Sequence, residues 1–153
     1  MKDLSITHIL NMTDEIPNFH EALNHFQYKK ISFPDSEQGY LPDILDDALS
    51  FIDSAKAAQG RVLVHCRLGI SRSASVVIGY LLRTTSKPLK AIWEDLRATR
   101  PIVKPNPSFL KQLMHLEATQ HHLPQSTLEG PEVIWGKSLA TLQWKYLHGE
   151  ELF

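Results

Sequence analysis

The 153-residue chain has a single cysteine, no long apolar run and almost no net charge, and each shortage removes a class of protein. One thiol makes no internal disulfide, so the sequence suits the reducing cytoplasm or nucleus better than a secreted setting. The longest apolar stretch, "SASVVIGYLL" at 73–82, falls far short of the roughly 20 residues that a membrane-spanning helix needs. "MKDLSITHIL" sets Asp3 where a signal peptide carries apolar residues. Lys and Arg number 16 against 17 Asp and Glu, a formal net charge of −1. The cations are spread along the chain, so no basic stripe offers itself to nucleic acid. Repeats and low-complexity tracts are also missing. What is present, 42% hydrophobic and 22% charged residues, is the composition of a globule whose length fits one core.

Periodicity alternates between strand and helix in the manner of an α/β domain. "ITHILNM" (6–12), "YKKISF" (28–33) and "RVLVH" (61–65) read as short strands, the last apolar enough to be covered on both faces. "LPDILDDALSFIDSAKAAQG" places Ile44, Leu45, Ala48, Phe51, Ile52 and Ala55 at helical spacing, with Pro42 in the first turn and Gly60 past the end. Its Asp43, Asp46, Asp47 and Asp53 form a solvated face rather than a metal site. Three further helices follow. They bury Val77, Ile78, Leu81 and Leu82, then Leu89, Ile92, Trp93 and Leu96, then Phe109, Leu110, Leu113 and Met114, with Asn106 as N-cap and Pro107 at the first position of the last. From about His121 the pattern is broken by Pro124, Gly130, Pro131 and Gly136, although "SLATLQWKYL" has helical spacing. Residues 121–153 read as an extension of a domain at 1–120, with Trp135 and Trp144 docking on the core or serving a partner. His121 and His122 lack Cys or carboxylate companions at ligand spacing, so neither metal nor cofactor is implied.

The lone thiol lies in "VLVHCRLGISRSAS" (62–75), at the end of an apolar strand and before a helix. As core filler, Cys66 would need no particular neighbours. As a nucleophile it must be ionised, and a helix N-terminus lowers a thiol's pKa. Gly69 lets the loop turn. The N–H groups of Arg67, Leu68, Gly69, Ile70, Ser71 and Arg72 are placed to ring a tetrahedral dianion, and the Arg72 guanidinium adds a two-pronged contact. His65 is expected to hydrogen-bond within the loop, and the Ser73 hydroxyl to donate to the sulfur.

"HCRLGISRS" resembles the His-Cys-x5-Arg-Ser signature of cysteine-dependent protein phosphatases, in their dual-specificity branch. The likeness runs over most of 4–118, through "ITHILNMT" and "RPIVKPNPSFLKQL". "EIPNF" and "VKPNPSFLKQL" look closest to slingshot-type phosphatases, which act on phosphorylated cofilin. The resemblance implies a three-layer α/β fold with a mainly parallel sheet and flanking helices. It implies hydrolysis of phosphotyrosine, phosphoserine and phosphothreonine through a phosphocysteine, with no cofactor. Asp35, in the loop after "YKKISF", is then the expected general acid and water activator, with Glu37 as alternative; Asp14 and Glu15 are set aside because they follow a different strand. The family carries a first strand ahead of the equivalent of "LSITHIL". Without it the sheet lacks an edge strand, leaving a destabilised domain or an edge covered by the tail or another subunit. Arg67 is the only extra cation in the loop, which lowers a phosphoinositide reading, and Leu68 stands where a small residue is common. A phosphoprotein-binding module without turnover is the reading from a different class.

Overall fold

The computed structural model describes residues 4–128. β1 (His8–Asn11), β2 (Gln27–Lys30) and β3 (Val62–His65) form one sheet in the order β2-β1-β3. Both pairings are parallel, with Ile9 opposite Tyr28 on one side and Leu63 on the other. Four helices complete the described residues: α1 (Leu41–Ala57), α2 (Arg72–Thr84), α3 (Leu89–Thr99) and α4 (Pro107–Gln120).

Strand alternation divides the sheet's faces. Leu10, Val62 and Val64 turn toward the helices and join the core with Met12, Val76, Ile78, Leu82, Ile92 and Leu110. Ile9, Tyr28 and Leu63 look the other way, onto the Ile16–His20 segment of the β1–β2 connection. Residues 16–20 of that connection lie on the second face, while its 3-10 turn Glu21–Leu23 stays exposed. β3 was expected to be covered on both faces, yet all four of its residues are only half-buried. The cause is its place at the sheet's edge: among the described residues no strand pairs with its outer side. Of the extension at 121–153 expected to cover that edge, residues 129–153, with Trp135 and Trp144, lie outside the described residues.

The helices follow their sequence signals. Pro42 sits in the first turn of α1, which buries Leu41, Leu45, Ala48, Leu49 and Ala55. Its acidic face meets solvent and neighbouring cations, Asp46 pairing with Arg83 and Asp47 with Lys29. α2 crosses α1 closely at Gly79, where a Cβ would lie 2.8 Å from Leu45 Cδ1. Asn106 caps α4 by accepting from Phe109 N at 2.9 Å, and Phe109 stacks on Phe33 with centroids 4.8 Å apart.

One buried charge escaped the sequence reading. Glu117, fully buried on α4, accepts from Leu89 N at 2.6 Å, Thr127 N at 2.8 Å and Thr127 Oγ1 at 2.6 Å, and from Ser126 Oγ. Burial pushes its pKa up, but the hydroxyls of Ser126 and Thr127 and the N–H groups of Leu89 and Thr127 hold it below the ordinary carboxylate value. Glu117 thus ties the start of α3 and the chain leaving α4 to the core. A folded pKa below the unfolded one contributes stability above pH ~4.3, lost as pH falls through the folded value. Glu117→Gln turns a donor toward these donors and is expected to lower unfolding free energy at neutral pH by about 3 kcal/mol, measured in urea. The deficit should narrow as the pH is lowered.

Candidate active site

Because all three strands run parallel, the segments that follow them emerge side by side at the sheet's carboxyl end. Cys66 follows β3, Asp35 follows β2, and Asp14 and Glu15 follow β1, the central strand. Following a different strand therefore brings Glu15 into the site instead of removing it.

The loop from Cys66 to Ser71 joins β3 to α2, which starts at Arg72. Cys66 is buried, with Sγ 3.3 Å from Ser73 Oγ. Burial pushes the thiol's pKa up; the Ser73 hydroxyl and the N–H groups of Ser73, Gly69 and Leu68 outweigh it and bring the pKa below the ordinary thiol value. Gly69 has φ +70°, the left-handed region that glycine enters without penalty, and a Cβ there would lie 2.9 Å from Arg100 Nη2. Arg100 clamps the loop from outside, donating from Nε to Gly69 O at 3.2 Å and from Nη2 to Leu68 O at 3.1 Å. Lys104 N does the same to Ile70 O at 2.9 Å. With these carbonyls held outward, the N–H groups face inward, the arrangement that receives an oxyanion. His65 Nδ1 lies 3.3 Å from Cys66 O, within the loop as expected. Arg67 and Leu68 are exposed, and Leu68 stands on the rim.

Arg72 is more than nine-tenths buried. Its Nη1 donates to Glu15 Oε2 at 3.1 Å and to Phe33 O at 3.4 Å, and its Nη2 donates to Glu15 Oε1 at 2.6 Å. The hydrogen bond from Arg72 holds Glu15 at a pKa of about 2. Among the described residues, Asp35 takes hydrogen bonds on one oxygen only. Its Oδ1 accepts from Ser71 Oγ at 2.7 Å and Asn106 Nδ2 at 3.0 Å, while Oδ2 lies 4.0 Å from Arg72 Nε. Ser71 Oγ in turn accepts from Asn106 N at 3.0 Å. Glu37, two residues beyond Asp35, is exposed. A cleft of about 490 Å³ opens beside Cys66 and Gly69, and another of about 480 Å³ lies between Glu15, Phe33, Asp35 and Arg72.

A thiol of lowered pKa within inward-facing amides, a buried guanidinium and a nearby carboxyl are suited to in-line attack on a phosphorus atom. The family described as dual specificity phosphatase, catalytic domain, matches residues 1–119. The chain belongs to this family. Dual specificity protein phosphatase 1-B of Xenopus laevis is 41% identical over 118 residues, 77% of this chain and 31% of the relative. The chain thus spans about a third of that relative's length. Among solved structures, human DUSP28 gives a TM-score of 0.72 at 26% identity, covering 79% of this chain and 83% of the other. The human tyrosine phosphatase-like serine/threonine/tyrosine-interacting protein gives 0.68 at 30% identity, covering 77% and 80%.

In this dual-specificity phosphatase domain the structure brings Cys66, Ser73, His65, Arg72, Ser71 and Asp35 to one end of the sheet. Sequence reasoning set Glu15 aside and missed Arg100, the Ser71 hydroxyl and the second role of Asn106. Asn106 was legible as a helix cap, and Arg100 opens the quoted "RPIVKPNPSFLKQL"; neither signal pointed at the loop.

Proposed function

We propose that this chain hydrolyses phosphotyrosine and phosphoserine or phosphothreonine in proteins by way of a phosphocysteine. The observation that carries the reading is the Cys66 thiol, held below its ordinary pKa by Ser73 and the loop amides beside Arg72. In the first step an electron pair on Cys66 Sγ forms the S–P bond as the P–O bond to the substrate oxygen breaks. The leaving oxygen takes the proton carried by Asp35 Oδ2, the oxygen free of hydrogen bonds from Ser71 and Asn106. In the second step water attacks phosphorus, gives its proton back to Asp35, and the sulfur departs as thiolate with the Ser73 hydroxyl donating to it. Arg72 and the N–H groups of Arg67 to Arg72 stabilise the equatorial oxygens throughout.

The catalytic domain is assigned to 1–120 and the remainder to an extension, supported by the family match to 1–119. A cytoplasmic setting rests on the lone cysteine. "EIPNF" and "VKPNPSFLKQL" are all that speaks for a slingshot-type enzyme; the relative described above is not of that type, so phosphocofilin stands level with other phosphoproteins as substrate. The intact set of Cys66, Arg72, Ser73 and Asp35 favours turnover over a pure phosphate-binding module. Phosphate release from phosphotyrosine and phosphoserine peptides at neutral pH tests this. Release from both classes is expected; binding without release from either would overturn it.

A further inference from the structure

Arg72 has five N–H protons, and their allocation is unequal. Nη1 spends its two on Glu15 Oε2 and Phe33 O, and Nη2 gives one to Glu15 Oε1. Two remain, the Nε proton and the second Nη2 proton, and these lie on the same edge of the planar guanidinium. Arg72 Nε is the one buried side-chain nitrogen or oxygen without a hydrogen-bond partner among the described residues. Its nearest anion, Asp35 Oδ2, is 4.0 Å away, beyond hydrogen-bond range. A buried donor left unsatisfied is costly, and such a group persists where a ligand completes it.

We propose that Glu15 is the positioning residue of this site: it grips the outer fork of Arg72 so that the Nε/Nη2 edge stays open for two oxygens of the substrate's phosphoryl group. The inference rests on the phosphatase reading and adds to it the group that aims the arginine. Several observations converge. The Glu15 contact is bidentate and charge-assisted, the geometry that fixes a guanidinium's plane and not merely its place. Phe33 O holds the inner Nη1 proton, so among the described residues the contacts leave the Nε/Nη2 edge unoccupied. The Glu15 side chain is 45% exposed while Arg72 is 8% exposed, so the pair is a poor device for stability and a good one for orientation. With its pKa near 2, Glu15 keeps its charge at every pH where the enzyme is expected to act.

Glu15→Ala frees Arg72 to turn, and the misaimed fork loses its two-pronged hold on phosphate. The test compares wild type, Glu15→Ala, Glu15→Asp and Glu15→Gln, reading KM and kcat on p-nitrophenyl phosphate and the inhibition constant of orthovanadate. In Glu15→Ala, KM and the vanadate constant should both rise by about tenfold or more. Glu15→Gln, whose amide oxygen still accepts from one Nη, should recover part of the loss, and Glu15→Asp, too short to span both, should recover less. In Glu15→Gln, which keeps an acceptor for Arg72, the melting temperature and the pH midpoint of Cys66 alkylation should stay near wild type while KM and the vanadate constant still rise, which separates aiming from general damage. Unchanged or tighter vanadate binding in Glu15→Ala overturns the inference, tighter binding marking Glu15 as a competitor of phosphate. If wild type neither turns over nor binds vanadate, the phosphatase reading itself fails and Glu15 has no phosphate to aim at.

Discussion

Cys66→Ser is expected to reduce phosphate release by about 10⁴-fold or more while phosphopeptide binding persists. The amides of Leu68, Gly69 and Ser73 that lower the thiol's pKa are too weak to ionise a hydroxyl, whose natural pKa lies far higher. The variant keeps the oxyanion ring and Arg72, so recognition survives the loss of attack. Replacing sulfur by oxygen at a buried position removes little packing, and the fold should hold. Initial rates together with calorimetric titration of a phosphopeptide check both halves. A variant turning over within tenfold of wild type contradicts the assignment of the nucleophile.

The second large effect belongs to Asp35, and its size depends on the substrate. Asp35→Asn keeps an acceptor for Ser71 and Asn106 but carries no proton to give, so the serine alkoxide must leave unaided. Hydrolysis of a phosphoserine peptide should fall about 10²–10⁴-fold, the range of general acid catalysis. p-Nitrophenyl phosphate, whose leaving group departs more easily, should be affected much less. Equal losses on the two substrates would make Asp35 a structural residue, and an equal graded effect in Glu37→Gln would move the proton to the neighbouring carboxyl.

Much of this architecture is visible in the residues themselves. Pro42, Asn106 and Pro107 act through local backbone geometry, so the starts of α1 and α4 are written where they occur. The strand, loop and helix around Cys66 are local too, and α2 starts at Arg72, where the loop chemistry demands it. What escaped is long-range. Glu15 and Arg72 are far apart in sequence and meet because β1 is the central strand of a parallel sheet, a fact of strand order that no window of residues contains. Arg100 reaches back from the end of α3, and Glu117 sits where helical spacing calls for an apolar side chain, its charge satisfied by Ser126, Thr127 and Leu89 brought there by tertiary packing. β3 reads as a doubly covered strand because covering is a property of neighbours, not of its own apolar residues.

Attack on phosphorus depends most on the ionisation of one sulfur, that of Cys66. The most direct measurement is the rate of Cys66 carboxymethylation by iodoacetate as a function of pH, with and without orthovanadate, in wild type and Ser73→Ala. The expected result is a midpoint clearly below the ordinary thiol value of about 8.5, a higher midpoint once the Ser73 hydroxyl is removed, and protection by orthovanadate. A midpoint at or above that value, with no protection, would contradict the central claim.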